Sequence, residues 1–530
     1  MTPLRPSHEE KPIDSTSQPE DADLMPRDNT QRTLRPRHIH LITIGGSIGT
    51  VLFVQIGAAL SIGGPGSLLL AFILWSTVVV AMNNCLAEMV CWIPISSPYI
   101  RFADRFVDEA LGFSSGLNWF ITVSLGVPYE ITAFTLMLNF WTDKIPVEAV
   151  VVFMLVVYSA LNIFAVRYYG ESEFWLSIGK VLLIVGLLLF SFVAMLGGNP
   201  LRDRFGFRNW EGSKVHGAPF AEFGASGATG RFFGFLSALI QACFTIVGPE
   251  YLAITAGEAA SPRTTLPPCF RSIIFRLMLF FVLGALAVGI LVPYNDPNLL
   301  SSTPHRPGSG TSPYVIALTR LNLAPLAHIV NAAVMLSIFS AGNSYVYNAS
   351  RTLFGMALEG RVPRVFARCS KSGVPVYCVG VVMCFGLLAF MQVDNTSAAV
   401  LLWITRFLTV SALANYAMIA YTYLRFRAAL KAQNIARSSL PWCGRFQPFS
   451  AYYALTACIL MCFLSGYSVF LPGHWNTMDF VFSYAVLAIL PLIFLAWKVV
   501  KRTKARDPKT VDLFAAEREA LDREETTNVR

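Results

Sequence analysis

Apolar runs about 20 residues long recur along nearly the whole chain, and that recurrence leaves few folds open. A helix needs about 20 mostly apolar residues to cross bilayer hydrocarbon. About twelve such runs occur, near 41–62, 67–92, 116–140, 147–166, 172–196, 231–257, 271–293, 325–357, 374–393, 397–424, 450–472 and 478–499. Inside hydrocarbon every backbone polar group must be satisfied by the protein itself, so only helices and closed barrels span. A barrel shows short segments of alternating hydrophobicity, which these runs are not. The sequence therefore specifies an all-α polytopic membrane protein with 12 transmembrane helices. Composition agrees, with 54% of 530 residues hydrophobic and 14% charged.

Residues 1–37 are rich in Pro, Asp, Glu and Ser and lack the apolar core of a cleavable signal peptide. They read as a disordered cytosolic tail, residues 38–499 as one twelve-helix domain, and residues 500–530 as a charged cytosolic tail. Within that last tail "DLFAAEREALDREE" has the pattern of a short surface helix. Lys and Arg in short loops set orientation. Arg35, Arg37, Arg101, Arg105, Arg167, Arg263, Arg361, Arg364, Arg368, Arg425, Arg427, Arg437, Lys501 and Arg502 collect on one side, against Lys144, Arg306 and Arg320 on the other. An even number of spans then puts both termini inside. The net charge of +9 is a topology signal, with some added attraction to anionic membrane lipid, and requires no nucleic-acid partner. Ten cysteines form neither a disulfide framework nor a metal-ligand spacing, and no cofactor or metal is expected.

The first run, "HIHLITIGGSIGTVLFVQIGAALSIGG", places Gly45, Gly46, Ser47, Gly49 and Thr50 near the bilayer centre. Mid-span glycines fit two readings, close helix packing of the small-xxx-small kind and irregular backbone lining a cavity. The sixth run, "FTIVGPEYLAITAGEAASPRTTLP", adds Gly248 and Pro249 in mid-membrane, followed at once by Glu250. An acidic residue there costs about 2.5 to 3.5 kcal/mol on insertion scales, and Pro249 removes a backbone donor. Interruptions in runs one and six fall at matching positions if runs one to five and six to ten are two repeats. That is the pattern of transporters with inverted repeats and a midplane site. Amides freed at Ser47 to Thr50 suit a carboxylate, and carbonyls freed near Ile246 to Gly248 suit an ammonium group. A compact zwitterion, above all the α-amino-acid backbone, satisfies both ends.

At this point the residues resemble the fungal amino-acid permeases of the amino acid/polyamine/organocation superfamily. The likeness runs from about Arg35 to the twelfth run. It rests on "RHIHLITIGGSIGT", "IVGPEYLAITAGEAASPRTTLP", "VPYNDPNLL" and, longest, "NAAVMLSIFSAGNSYVYNASRTLFGMALEGRVPRVF". The resemblance implies a LeuT-like core of five plus five inverted helices, discontinuous in helices 1 and 6, with two further helices. It implies a proton-coupled importer of amino acids at a fungal plasma membrane. By the same resemblance Ser47, Ile48, Gly49 and Thr50 hold the substrate carboxylate, and the carbonyls from Ile246 to Gly248 hold the amine. Phe244 is the aromatic gate and Glu250 the acidic residue beside the pocket. Lys180 in "SIGKVLLIV" matches a fifth-span lysine that couples proton to substrate, with Ser340 and Asn343 lining the same junction. Ser124 of the third span is placed among the substrate-lining residues. Lys11 in the N-terminal tail suggests regulation by ubiquitin ligase machinery.

This chain also departs from the family pattern. Val51 stands where a glycine is usual, and a β-branched residue there is expected to narrow the pocket or stiffen the half-helix. Ser97 and Pro98 replace small residues, and Arg406 stands where an uncharged polar residue is usual. Four ionisable residues are read at depth, Glu130, Lys180, Glu250 and Arg406, and such residues face cavities or partners. Lys180 is alternatively a static tie and Glu250 a hydrogen-bond hub. Glu130 is read as structural, satisfying backbone freed near Pro128. Arg406 either pairs with a span carboxylate, Glu130 or Glu250, or receives an acidic substrate side chain. The substrate class, neutral, acidic or basic, therefore stays open. "GFSSG", around Ser114, fits the hydrolase elbow without the required strand. A membrane-embedded enzyme is disfavoured, and an amino-acid-sensing receptor or a carrier of a related small amine stand as alternatives.

Overall fold

A computed structural model describes residues 49–95, 98–142, 144–164, 166–212, 217–256, 262–300, 312–370 and 373–514. Among these residues the chain is helical without β-strands, and ten helices are long and apolar enough to cross a membrane. The first, α1 (Val51–Trp92), carries two of the expected runs. They meet at Gly64, whose φ of +77° lies in the region that favours glycine, with Pro65 directly after it. A second expected run is shorter than a full span, the helix α11 of Val376–Gln392, whose last part is a 3₁₀ helix.

Between them lie α2 (Pro98–Phe106), α3 (Glu109–Leu138), α4 (Val147–Phe164), α5 (Val166–Met195), α6 (Gly227–Thr245), α7 (Pro249–Thr255), α8 (Pro262–Leu291), α9 (Pro313–Arg320) and α10 (Ala324–Leu358). The chain continues through α12 (Ser397–Ala432), α13 (Phe449–Leu464) and α14 (Thr477–Lys501). The two halves repeat one another. Short helices α2 and α9 precede the long helices α3 and α10, α3 packs on α10, and α1 packs on α6. The first long helices of the two halves, α1 and α6, pack on each other in the middle of the bundle.

Buried polar side chains bind the helices to each other. Asn118 and Ser411 exchange hydrogen bonds of 2.9 and 2.8 Å between α3 and α12, and Asn83 reaches the Phe270 carbonyl on α8. In the loop between α5 and α6, Asn209 and Trp210 donate to the Ile290 and Gly289 carbonyls at the end of α8. The same loop crosses the Gly64 turn, where the Gly66 amide donates to the Pro219 carbonyl at 2.7 Å and the Ala221 amide to the Gly63 carbonyl at 2.9 Å.

At the opposite end the expected basic loops gather. Arg361 bonds Asp104 at 2.8 Å and Arg101 bonds Glu359 at 3.0 Å, joining α2 to the end of α10. Glu88 near the end of α1 accepts from Tyr423 on α12, from Arg437 and from the Gly444 amide. Residues 502–514, expected as part of a free tail, lie along this end as a strap. Trp92 donates to the Leu513 carbonyl, Gln433 to the Pro508 and Val511 carbonyls, and Arg425 to the Arg506 carbonyl. Leu513 is 1% exposed. The strap exists because backbone carbonyls find donors there and two apolar side chains find cover. The proposed N-terminal tail and most of the surface-helix segment lie outside the described residues.

The ten cysteines are all free. Cys369, Cys384 and Cys443 are exposed and the other seven buried, as packing residues would be. Ser114 donates to the Ala110 carbonyl within α3 at 2.8 Å, a helical hydroxyl and no elbow.

Candidate functional site

The sixth run breaks where glycine and proline stand together. Helix α6 stops at Thr245, residues 246–248 are extended, and α7 starts with Pro249 as its first residue. The Ile246 amide still closes the last turn onto Ala242 at 2.9 Å. Pro249 has no amide to donate, so the carbonyl four residues earlier, on Thr245, loses its helical partner, and the carbonyls of 246–248 are turned out of the ladder. Glu250 folds back over the break, accepting from the Gly248 amide at 3.1 Å and from the Tyr416 hydroxyl on α12 at 2.7 Å. Of its two expected roles, these contacts are those of a hydrogen-bond hub.

The first run meets this break. Gly49 and Thr50 open the described part of α1, which begins as a π-helical turn, Val51–Gln55, and that turn packs on α6. Ser47 and Ile48 lie outside the described residues. A π turn leaves one carbonyl out of the α ladder and recurs at functional positions; Ser312 answers it by donating to the Phe53 carbonyl at 2.6 Å. Val51, expected to stiffen the half-helix, is the first residue of this irregular turn. Phe244, in the last turn of α6, stands edge-on to Tyr129 with ring centroids 5.5 Å apart.

The Thr50 hydroxyl donates to the Glu130 carboxylate, which is 1% exposed. Glu130 was expected to serve the backbone near Pro128. The structure turns Glu130 to the start of the described part of α1, while the Pro128 carbonyl accepts from the Thr132 hydroxyl at 2.7 Å. Ser124, four residues before Pro128, loses its helical donor to the proline ring. At 100° per residue it shares a face with Phe120 and Val127, which meet Phe385 and Gly386 of α11. Ser124 lies about 120° round α3 from Glu130, and its buried hydroxyl has no hydrogen-bond partner among the described residues.

Lys180 on α5 is 3% exposed, and its ammonium lies 3.6 Å from Glu173 two turns earlier on the same helix. Glu173 also accepts from Ser340 of α10 at 2.9 Å. A Cβ on Gly49 would lie 3.5 Å from Ala341, the neighbour of Ser340, and 3.8 Å from the Glu130 carboxylate, so the start of the described part of α1 stands between Glu130 on α3 and the Glu173–Ser340 pair of α5 and α10. Asn343, one turn beyond Ser340, accepts from Asn162 of α4 at 2.8 Å. Glu173 did not figure in the sequence reading, though its spacing of seven from Lys180 places both on one face.

For Arg406 the reading as a pair with a span carboxylate holds, with a partner on another helix than those suggested. Its guanidinium pairs with Asp479 on α14 at 2.8 Å, and Trp403 donates to the same carboxylate at 2.8 Å. Neither Glu130 nor Glu250 is its partner. Tyr416, which does reach Glu250, lies ten residues or about 15 Å further along α12. Arg406 therefore ties α12 to α14 outside the candidate site, and an acidic substrate side chain has no counter-charge from it. Among the described residues no group of three or more His, Cys, Asp or Glu side chains is arranged to hold a metal.

An interrupted helix facing the start of another, inside a bundle of two matching halves, defines a helical membrane transporter. The structure of a manganese transporter from Eremococcus coleocola superposes with a TM-score of 0.52 at 11% identity, covering 90% of this chain and 98% of that one. The fold is thus shared. The family model for amino acid permeases matches residues 38–509. A general amino acid permease of Saccharomyces cerevisiae is 42% identical over 492 residues, covering 91% of this chain and 82% of that protein. A proline-specific permease of Emericella nidulans is 37% identical over 496 residues, covering 92% and 89%. The chain belongs to the amino acid permease family, and its work is amino acid transport across a membrane.

Proposed function

We propose that this permease imports amino acids by proton symport across the plasma membrane, with both termini cytosolic, through alternating access around the paired breaks. The observation that carries the reading is the buried Glu130 carboxylate on Thr50 at the start of the described part of α1, with Ala341, next to the Ser340 that bonds Glu173, packed against Gly49. Free amides near Gly49 and Thr50 favour the substrate carboxylate, and the carbonyls of 246–248 accept from its ammonium. Phe244, half-buried against Tyr129, shields the zwitterion from one side.

Glu130 is the residue best placed to carry the proton. It touches the same half-helix that binds the carboxylate, so substrate and proton report to one element. Movement of one repeat against the other then exposes both to the same compartment. Glu250 holds the α6–α7 break in shape through Gly248 and Tyr416. A side-chain pocket without the Arg406 charge favours a neutral or small substrate; the general and proline permeases it resembles carry names consistent with that class.

The test is uptake of a panel of labelled amino acids and small amines by permease-deficient yeast, followed by proteoliposomes with an imposed pH gradient. Concentrative uptake driven by the gradient supports the reading, and Lys180→Ala is expected to abolish it while leaving surface expression intact. Binding without net accumulation would make the chain a receptor instead.

A further inference from the structure

The cluster around Lys180 holds Glu173, its ion-pair partner, and, across Gly49 from Ala341 and Ser340, Glu130, so two buried carboxylates stand with one ammonium. Among the described residues it carries one negative charge in excess when all three are ionised. A desolvated site disfavours net charge strongly, so the cluster is neutral only with one proton added. Resting on the symport reading above, we propose that Glu173 sets the proton requirement of transport. It cancels Lys180 and so leaves Glu130 as the group that must take a proton before the bundle rearranges.

The geometry divides the two carboxylates. Glu173 is a fixed counter-ion, since it sits on the same helix as Lys180 and is anchored by Ser340 from α10. A lysine side chain leans back toward the N-terminus of its helix, which keeps the pair together when α5 moves as a body. Glu130 is the variable member. Its partner Thr50 belongs to the half-helix at the substrate site, and the proton enters and leaves on the Glu130 carboxyl oxygen from whichever side is open.

Other groups face the cluster without changing the count. Tyr129 on α3, Tyr158 on α4 and Tyr345 on α10 surround Glu130, and phenols stay protonated at neutral pH. Glu250 acts on Tyr345 and is committed to Gly248 and Tyr416. Asn162 and Asn343 do not titrate.

The charge count makes a specific demand on Glu173→Gln. Lys180 and Glu130 then neutralise each other with no proton bound, and coupling disappears. Full-length parent and variant are reconstituted in proteoliposomes, and the best substrate from the uptake panel is followed in two assays, accumulation under an imposed pH gradient and exchange between equal pH. Expected for E173Q is an accumulation ratio falling to about one, a flat pH profile, and exchange retained. Glu173→Asp, which keeps the charge, is expected to keep the pH profile. Gradient-driven accumulation by E173Q with the parent's pH profile overturns the proposal. Should E173Q not fold, the double variant E173Q/K180Q restores the single excess charge, and gradient-driven accumulation in it supports the proposal while exchange without accumulation overturns it. A parent that fails to accumulate under the gradient overturns the symport reading itself.

Discussion

Gly342 on α10 has no side chain, and Tyr158 of α4 uses the space. A Cβ at Gly342 would lie 2.1 Å from the Tyr158 hydroxyl, which donates to the Phe339 carbonyl. Gly342 directly precedes Asn343 and lies two residues beyond Ser340, so the close approach of α4 and α10 holds the buried cluster in register. Gly342→Ala is expected to cost about 1–3 kcal/mol through overpacking, seen as a lower melting temperature in detergent. Tyr158→Phe in the same chain should recover part of the loss. Asp108, the N-cap of α3, shows the same economy in an ionic setting. Burial works against its charge, yet Lys498, Thr503 and the Ala110 amide together hold its carboxyl below the usual range. Its stabilising contribution is therefore present above the ordinary aspartate value of about 3.9 and is lost as pH falls below it. Limited proteolysis of the purified protein should find the 502–514 segment protected at pH 7 and cleaved only under strong acid.

At the scale of elements, α14 is held to α12 by Arg406, Trp403 and Asp479. Removing one member leaves the others unpaired in a largely apolar setting. Arg406→Ala is expected to lower stability by about 1–3 kcal/mol, and Arg406→Ala with Asp479→Ala to cost less than the two singly. The substrate profile of both should match the parent, and a selective loss of acidic substrates would instead bring Arg406 back to the site. Much of this layer was legible in the sequence. Gly248 and Pro249 marked the α6 break because their effect on the backbone is local. The partners of Arg406 and Glu130 were not legible, because Asp479 lies 73 positions beyond Arg406 and a charge in a bundle is answered by whichever helix tertiary packing brings near. Glu173 was within reach, standing on the same face as Lys180, but a carboxylate near the end of a run reads as a boundary residue. Gly64 falls between the first two runs, and it joins two spans with no loop between them. Gly64→Ala meets both a positive φ and the Ala221 amide at 2.8 Å, and should sharply reduce folded yield on size-exclusion chromatography.

Considered whole, the molecule is two matching halves tied at one end by ion pairs and a strap. Arg361, Asp104, Arg101 and Glu359 join α2 to α10, and Arg506 extends the set from the strap to Asp104. Opening that end requires these contacts to separate. Truncation after Lys501 should therefore raise the reactivity of cysteines introduced along the inner ends of α2 and α10, measured by labelling in membranes.

The strap also has a consequence for biosynthesis. Lys498 reaches Asp108 across 390 residues of sequence, so during translation the Asp108 carboxylate at the start of α3 stays without its ion-pair partner until almost every other span has been made. The inner end of the bundle is the last part to be sealed. Chains that stall in the final helices will present this end of the bundle unfinished, a surface by which a cell's surveillance machinery can tell them from completed copies.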